Sequence, residues 1–222
     1  VIMMTSLIEW WHTLPLFLEF NSDVIILATW QHIVLSFGSL LAGTIFAVSL
    51  GIYVADREQL ARVFLSITGI IQTIPTLAFL ALLLPLLGIG LVPAMVVLFL
   101  YSLLPILRNT FTGIRNVDSA YLEAGRGMGM NNRQLLFMVR LPIALPVILA
   151  GIRISTVYII SWATLSALIG AGGLGDLIYT GIQTYDLNFI LAGTIPTALL
   201  ALLAGWVLNR LEYSLTPRGI RA

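Results

Sequence analysis

Apolar residues fall into five long runs, at about 33–55, 63–87, 91–107, 143–169 and 189–208, and the charged residues collect between them. A bilayer core about 30 Å thick takes roughly 20 apolar residues to cross as a helix, so each run predicts one membrane-spanning helix. The third run is the shortest. Pro93 and Pro105 near its ends suit a helix start and a kink near the inner end. The first twenty residues are also apolar, but Glu9, His12, Pro15 and Glu19 interrupt them, and a carboxylate near the bilayer centre costs about 2.5–3.5 kcal/mol. An extracytoplasmic or interfacial segment is therefore expected over 1–32, with Trp10 and Trp11 at headgroup level. The absence of Arg before Arg57 speaks against a secretory signal peptide. The pattern predicts an all-α integral membrane protein with a membrane domain over 33–212, a long polar loop at 117–142 within it, and a cytoplasmic tail over 213–222.

Composition strengthens this reading. Of 222 residues, 59% are hydrophobic and 9% charged, against about 25% charged in soluble domains. The 19 Gly and 9 Pro would break helices in water, yet both are frequent in membrane helices, where neighbours satisfy the freed backbone groups. The chain has no Cys, which excludes disulfides, thiolate catalysis and sulfur-ligated metals. A net charge of +1 says nothing about nucleic acid, because the useful information lies in where the charges sit.

Charge placement tests the span count independently. With five alternating crossings, Arg57 and Arg62, then Arg108, Arg115, Arg126, Arg133 and Arg140, then Arg210, Arg218 and Arg221 all face one side. The other side holds Glu9, Glu19, Asp23, Asp176 and Asp186 and no basic residue. The positive-inside rule then puts the N-terminus outside and the C-terminus inside. Arg153 alone lies within a span, about ten residues in, where its stem reaches the inner interface by snorkelling.

The 117–142 loop holds Glu123-Ala124-Gly125, three residues, Gly129, nine residues, then Val139-Arg140-Leu141-Pro142. Residues 117–128 are able to form a short helix, Gly129 permits a turn at positive φ, and 131–139 a second helix. Such a helix-turn-helix outside the bilayer is a handle for a soluble partner; the plainer reading is an Arg-rich loop serving topology alone. The spacing resembles the EAA signature of ABC importer permeases, which reads Glu-Ala-Ala, three residues, Gly, nine residues, Ile-x-Leu-Pro. Gly125 and Val139 are the two departures.

The resemblance extends over about 28–210. Residues 71–76 (IQTIPT), 100–110 (YSLLPILRNT with its flanking Leu), 126–130 (RGMGM) and 165–175 (LSALIGAGGLG) look specifically like the osmoprotectant permeases, those for glycine betaine, choline, carnitine and similar quaternary amines. The resemblance implies a type I importer permease in the bacterial inner membrane, with Glu123, Ala124, Gly125, Gly129, Leu141 and Pro142 at the ATPase-coupling surface. It also implies a second permease (a homo- or heterodimer), two ATP-binding subunits that carry ATP and Mg, and an extracytoplasmic solute-binding protein. No cofactor is expected on this chain, and it carries no glycine-lysine phosphate loop of its own.

Gly170-Ala171-Gly172-Gly173-Leu174-Gly175 spells a dinucleotide fingerprint, but an apolar span precedes it and Ile195 stands where the acidic residue belongs. An irregular outer turn is the expectation, with residues 177–183 dipping back toward the membrane. Gly170, Gly172, Gly173 and Gly175 are then outer-gate candidates, the alternative being simple loop packing. Ser39, Gly43, Ala47 and Gly51 place small residues on one helix face for close packing; whether against this chain or a second permease the sequence leaves open. Polar residues within spans are candidates to line a path: Gln72, Thr73 and Pro75 in the second, and Tyr158, Ser161, Trp162, Thr164 and Ser166 in the fourth. The alternative for each is an interhelical hydrogen bond, about 0.6 kcal/mol on average. Tyr158 and Trp162 offer aromatic faces to a trimethylammonium group. His12 and His32 are isolated and do not look like metal ligands.

The expected function is ATP-driven import in which this subunit is not an enzyme but supplies half of a gated path. Another small solute, such as an amino acid or other amine, is the near alternative. A secondary transporter is the distant one, and would show a repeated half with interrupted helices. Neither H-E-x-x-H nor G-x-S-x-G is present for an intramembrane enzyme.

Overall fold

The computed structural model describes the backbone of residues 2–216 and the side chains of 15–216. Glu9, Trp10, Trp11 and His12 therefore lie outside the described side chains, and Arg218 and Arg221 outside the described residues. In chain order the helices are α1 (Ile2–Val54), α2 (Glu58–Thr73), α3 (Thr76–Leu87), α4 (Leu91–Arg115), α5 (Ser119–Gly127), α6 (Asn132–Gln134), α7 (Leu141–Ala163), α8 (Leu174–Thr184) and α9 (Leu187–Leu215). A π-helical turn, Leu135–Arg140, joins α6 to α7, and a 3-10 turn, Thr164–Ile169, ends α7. Among the described residues there is no strand. Four segments are long and apolar enough to cross a membrane, and α2 with α3 make a fifth if counted together.

Two spans differ from the single straight helices that the apolar runs predict. The run 63–87 is broken between α2 and α3 by a bend of 98°. Its cause is local: a residue before proline is pushed out of the helical region, and Ile74, before Pro75, is extended at φ −71°, ψ 128°. The run 143–169 begins earlier, because the segment from Asn132 enters α7 through the π-turn with no break at Pro142. At the N-terminus, α1 passes through residues 32 and 33 without interruption. Its 53 residues are assigned to one continuous helix, so the boundary of the first span falls inside it.

The chain divides into two compact units. One comprises residues 1–39, 75–98 and 159–201. Its core gathers Ala28, Leu174 and Leu177, with Ile25, Phe189, Ala192 and Leu200 packed on them. Phe17 meets Phe189 edge to face at 4.8 Å.

The other unit comprises residues 40–74, 99–158 and 202–222. Here α4 packs closely against both α1 and α7. A β-carbon at Gly43 would overlap Ser102 Oγ, and one at Gly51 would lie 2.6 Å from Thr110 Cγ2. The small-residue face of α1 thus meets a helix of the same chain. On the other flank, a β-carbon at Gly151 would lie 2.6 Å from Asn109 Cβ, and the Ser155 hydroxyl donates to the Ser102 carbonyl at 3.1 Å. Leu40, Ala47, Val54, Leu103, Ile106 and Leu107 fill the space between α1 and α4. Arg153 does not simply snorkel: it donates to Asn209 at 2.5 Å and pairs with Glu212 at 3.2 Å on α9.

Candidate functional site

The polar loop folds as a helix-turn-helix handle whose ends are set by side chains. Asp118 caps α5 by accepting the Ala120 N–H at 2.9 Å. After α5, Gly129 takes φ +82°, a conformation that side chains disfavour and glycine adopts freely. The N–H groups of Met128, Gly129 and Met130 fold back on the carbonyls of Ala124, Arg126 and Gly125. The second helix then starts on a reciprocal pair: Asn131 Oδ1 accepts the Gln134 N–H at 2.9 Å, while Gln134 Oε1 accepts the Asn131 N–H at 2.8 Å. Such a capping box satisfies two otherwise orphaned donors at once.

Gly125 faces inward, buried where the two arms meet. A β-carbon there would lie 2.6 Å from Leu135 Cδ2 and 3.3 Å from Met130 Sδ, so Leu135 occupies the room that an alanine methyl would take. Glu123, Ala124 and Gly129 are exposed, while Leu141 and Pro142 are half-buried. The handle also carries uncovered apolar side chains that the motif does not announce: Tyr121 at 54%, Met128 at 70%, and Phe137 and Met138 at 63% exposure each. These side chains share the handle with the carboxylates of Asp118 and Glu123 and with several arginines. Both ends of the handle are tied to the α1–α2 turn, through Arg115–Glu58 at 2.8 Å and Arg140–Asp56 at 2.7 Å.

The glycine run folds as an irregular turn held from α1. Gly170, Gly172 and Gly173 have φ of +71°, +78° and +94°. The Gly173 N–H donates to Gln31 Oε1 at 3.0 Å. Next to it, the buried His32 places Nε2 3.0 Å from the Ile160 carbonyl. The Gly90 N–H reaches the Ile169 carbonyl at 2.8 Å. Gly175 lies against the Thr164 backbone, where any β-carbon would overlap the carbonyl. The segment expected at 177–183 is α8, which starts three residues earlier at Leu174.

The path-lining candidates divide between the two units. In the second, Gln72 is half-buried, Thr73 exposed, and Tyr158 exposed at 46%. In the first, Pro75 and Ser161 are exposed, Trp162 and Thr164 half-buried, and Ser166 fully buried. As placed, Ser166 faces packed protein rather than an opening. The Thr73 and Thr164 hydroxyls each bond a carbonyl three residues back, at 2.7 Å, so those bonds serve their own helices. Among the described residues no group of His, Asp and Glu is arranged to hold a metal.

The comparisons with known proteins agree with this architecture. The chain is 47% identical over 205 residues to the carnitine transport permease protein OpuCB of Listeria monocytogenes, covering 92% of this chain and 94% of that one. It is 46% identical to the choline transport system permease protein OpuBB of Bacillus subtilis, covering 95% and 97%. The osmoprotectant import permease protein OsmW of Salmonella typhimurium is 41% identical, covering 90% and 96%. Among solved structures, an inward-facing form of the MetNI methionine ABC transporter superposes with a TM-score of 0.78 at 24% identity, covering 87% of this chain and 96% of that one. At that identity the likeness speaks for the fold, that of a type I importer permease. Residues 43–220 match the family of binding-protein-dependent transport system inner membrane components, and the chain belongs to it as a multi-pass permease subunit of an ABC importer.

Proposed function

We propose that this permease carries quaternary-ammonium osmoprotectants such as glycine betaine, choline or carnitine, with ATP hydrolysis on partner subunits. The observation that carries the cargo is the set of relatives at 41–47% identity over most of the chain, whose names specify carnitine, choline or osmoprotectant transport. A second permease completes the path, as a homo- or heterodimer. In support, the chain is 47% identical to OpuCB and 46% identical to OpuCD, two Listeria carnitine permeases. The test is uptake by proteoliposomes holding the assembled transporter and its binding protein. Glycine betaine, choline or carnitine should enter and compete with one another; uptake of an amino acid that a hundredfold excess of all three leaves unchanged would overturn the cargo.

The handle docks an ATPase in this reading. Glu123 pairs with a basic groove on the partner, and Tyr121, Met128, Phe137 and Met138 supply apolar contact. Glu123→Ala should lower recovery of the ATPase in co-purification and the hydrolysis stimulated by solute; both unchanged would remove Glu123 from the interface. The orientation is N-terminus outside, C-terminus inside, supported by the arginines at Arg57, Arg115 and Arg140 on one side of the spans. Because the chain has no cysteine, single cysteines report sidedness directly. One at Ser119 should resist an impermeant thiol reagent in intact cells and one at Asp186 should react; the reverse would put the handle out of reach of cytoplasmic ATP. Gln72, Thr73, Pro75, Tyr158, Ser161, Trp162 and Thr164 remain the proposed path, Ser166 leaving it because its side chain is fully buried, and the 170–175 turn is the proposed outer gate.

A further inference from the structure

A groove of about 590 Å³ runs along the surface of the second unit, lined by Ala42, Ile45, Phe46, Ser49, Tyr53 and Phe99 among others. Its walls are apolar and uncovered: Ile45 is 62%, Phe46 49% and Tyr53 56% exposed. Phe46 and Phe99 stand edge to face at 5.8 Å. From residue 42 to residue 53 the helix rises about 16 Å, close to the half-thickness of a bilayer core, about 15 Å. The groove ends at a basic mouth. The Arg57 guanidinium lies 4.1 Å over the Tyr53 ring and spends one donor on the Tyr53 carbonyl, leaving others of its five N–H groups to turn outward. Arg62, five residues further on, lines a polar pocket together with Arg57. The neighbouring carboxylates are already engaged, Glu58 with Arg115 and Asp56 with Arg140.

We infer that this groove is a binding site for one anionic phospholipid of the inner leaflet, its acyl chain lying along α1 between Phe46 and Phe99 and its phosphate held by Arg57 and Arg62. The placement in the inner leaflet rests on the orientation proposed above. Three features favour a lipid over a second copy of this chain. Close helix packing in membranes uses small residues, and α1 presents Gly43 and Gly51 to its own α4. The face turned outward carries bulky Ile45, Phe46 and Tyr53, whose furrow suits a thin, flexible chain. The groove also leads to two arginines at its end, and an anionic headgroup complements them where an apolar helix would not.

The site is tested on the transporter purified with its partner subunits in nanodiscs of equal parts phosphatidylglycerol and phosphatidylcholine, by counting lipids retained on this chain in native mass spectrometry. Phosphatidylglycerol should be retained at least fivefold over phosphatidylcholine, since each arginine at a membrane surface is worth about fivefold for an anionic lipid. Arg57→Gln and Arg62→Gln should each lose most of that preference, and the pair all of it. Ser49→Trp, which fills the groove without touching the charges, should lose retention of both lipids. Equal retention of the two lipids by the unaltered protein, or a preference unchanged in both the paired arginine variant and Ser49→Trp, would overturn the site. So would a disulfide-linked dimer of this chain through Ser49→Cys in membranes, which would make the groove a contact between copies. A nanodisc offers lipid to both faces, so failure here would count against the groove and leave the orientation to the labelling of Ser119 and Asp186.

Discussion

The two glycine turns, one in the handle and one before α8, solve the same backbone problem under opposite conditions. At Gly129, φ is +82° and a β-carbon would meet nothing within 4 Å. At Gly172, φ is +78° and a β-carbon would lie 2.5 Å from Gln31 Oε1; at Gly175, one would overlap the Thr164 carbonyl. The handle turn therefore demands only a conformation. The 170–175 turn demands a conformation and a packed, hydrogen-bonded seat. An exposed turn of the first kind tolerates change at the cost of local strain, whereas the second passes any change to the helices around it.

The comparison is broken most directly at Gly175. Gly175→Ala sets a side chain against main chain that has no room to yield, and overpacking of this kind costs about 1–3 kcal/mol or more. We expect the largest drop here, read as loss of folded, monodisperse protein in detergent on heating; wild-type stability would mean that the seat is loose. Gln31→Leu comes next. It leaves the buried Gly173 N–H without its acceptor, a penalty of about 1–3 kcal/mol, and should lower the melting midpoint while the handle still recovers the ATPase. Gly129→Ala should cost about 1 kcal/mol, the strain of a left-handed residue, with little change in melting and a larger change in solute-stimulated hydrolysis. If Gly129→Ala melted earlier than Gly175→Ala, the contrast between the turns would be wrong. The smallest effect belongs to Arg140→Gln, whose ion pair with Asp56 is largely exposed on the Asp56 side. Exposed pairs contribute about 0–1 kcal/mol, so its melting midpoint should stay near wild type and respond less to salt.

How far the sequence reveals these features depends on whether their causes are local. The handle was legible because its determinants are local, a short helix former, the turn at Gly129 and a second helix start at Asn131, and the number of apolar runs matched the spans. The 98° bend was hidden inside a continuous apolar run: hydropathy is blind to backbone direction, and Pro75 was the single mark of it. The π-turn at Leu135–Arg140 carries no compositional sign. The seat of the glycine turn was out of reach for another reason, since Gln31 and Gly173 meet across 142 positions. Nothing in the EAA spacing identified Phe137 and Met138 as uncovered, because exposure of an apolar residue follows from which neighbours are absent.

The bend at Ile74 also imposes an order on how the protein is made. Extended backbone in a span leaves polar groups that hydrocarbon will not satisfy, and the Ile74 carbonyl is met by the hydroxyl of the buried Tyr101. Tyr101 is translated 27 residues later, in α4. Pro75 turns the backbone away from the helix as soon as residues 63–87 are made, but the Ile74 carbonyl meets its hydroxyl partner only once α4 has been synthesised. The direction of the elbow is thus encoded locally, and its polar satisfaction is supplied by a later span.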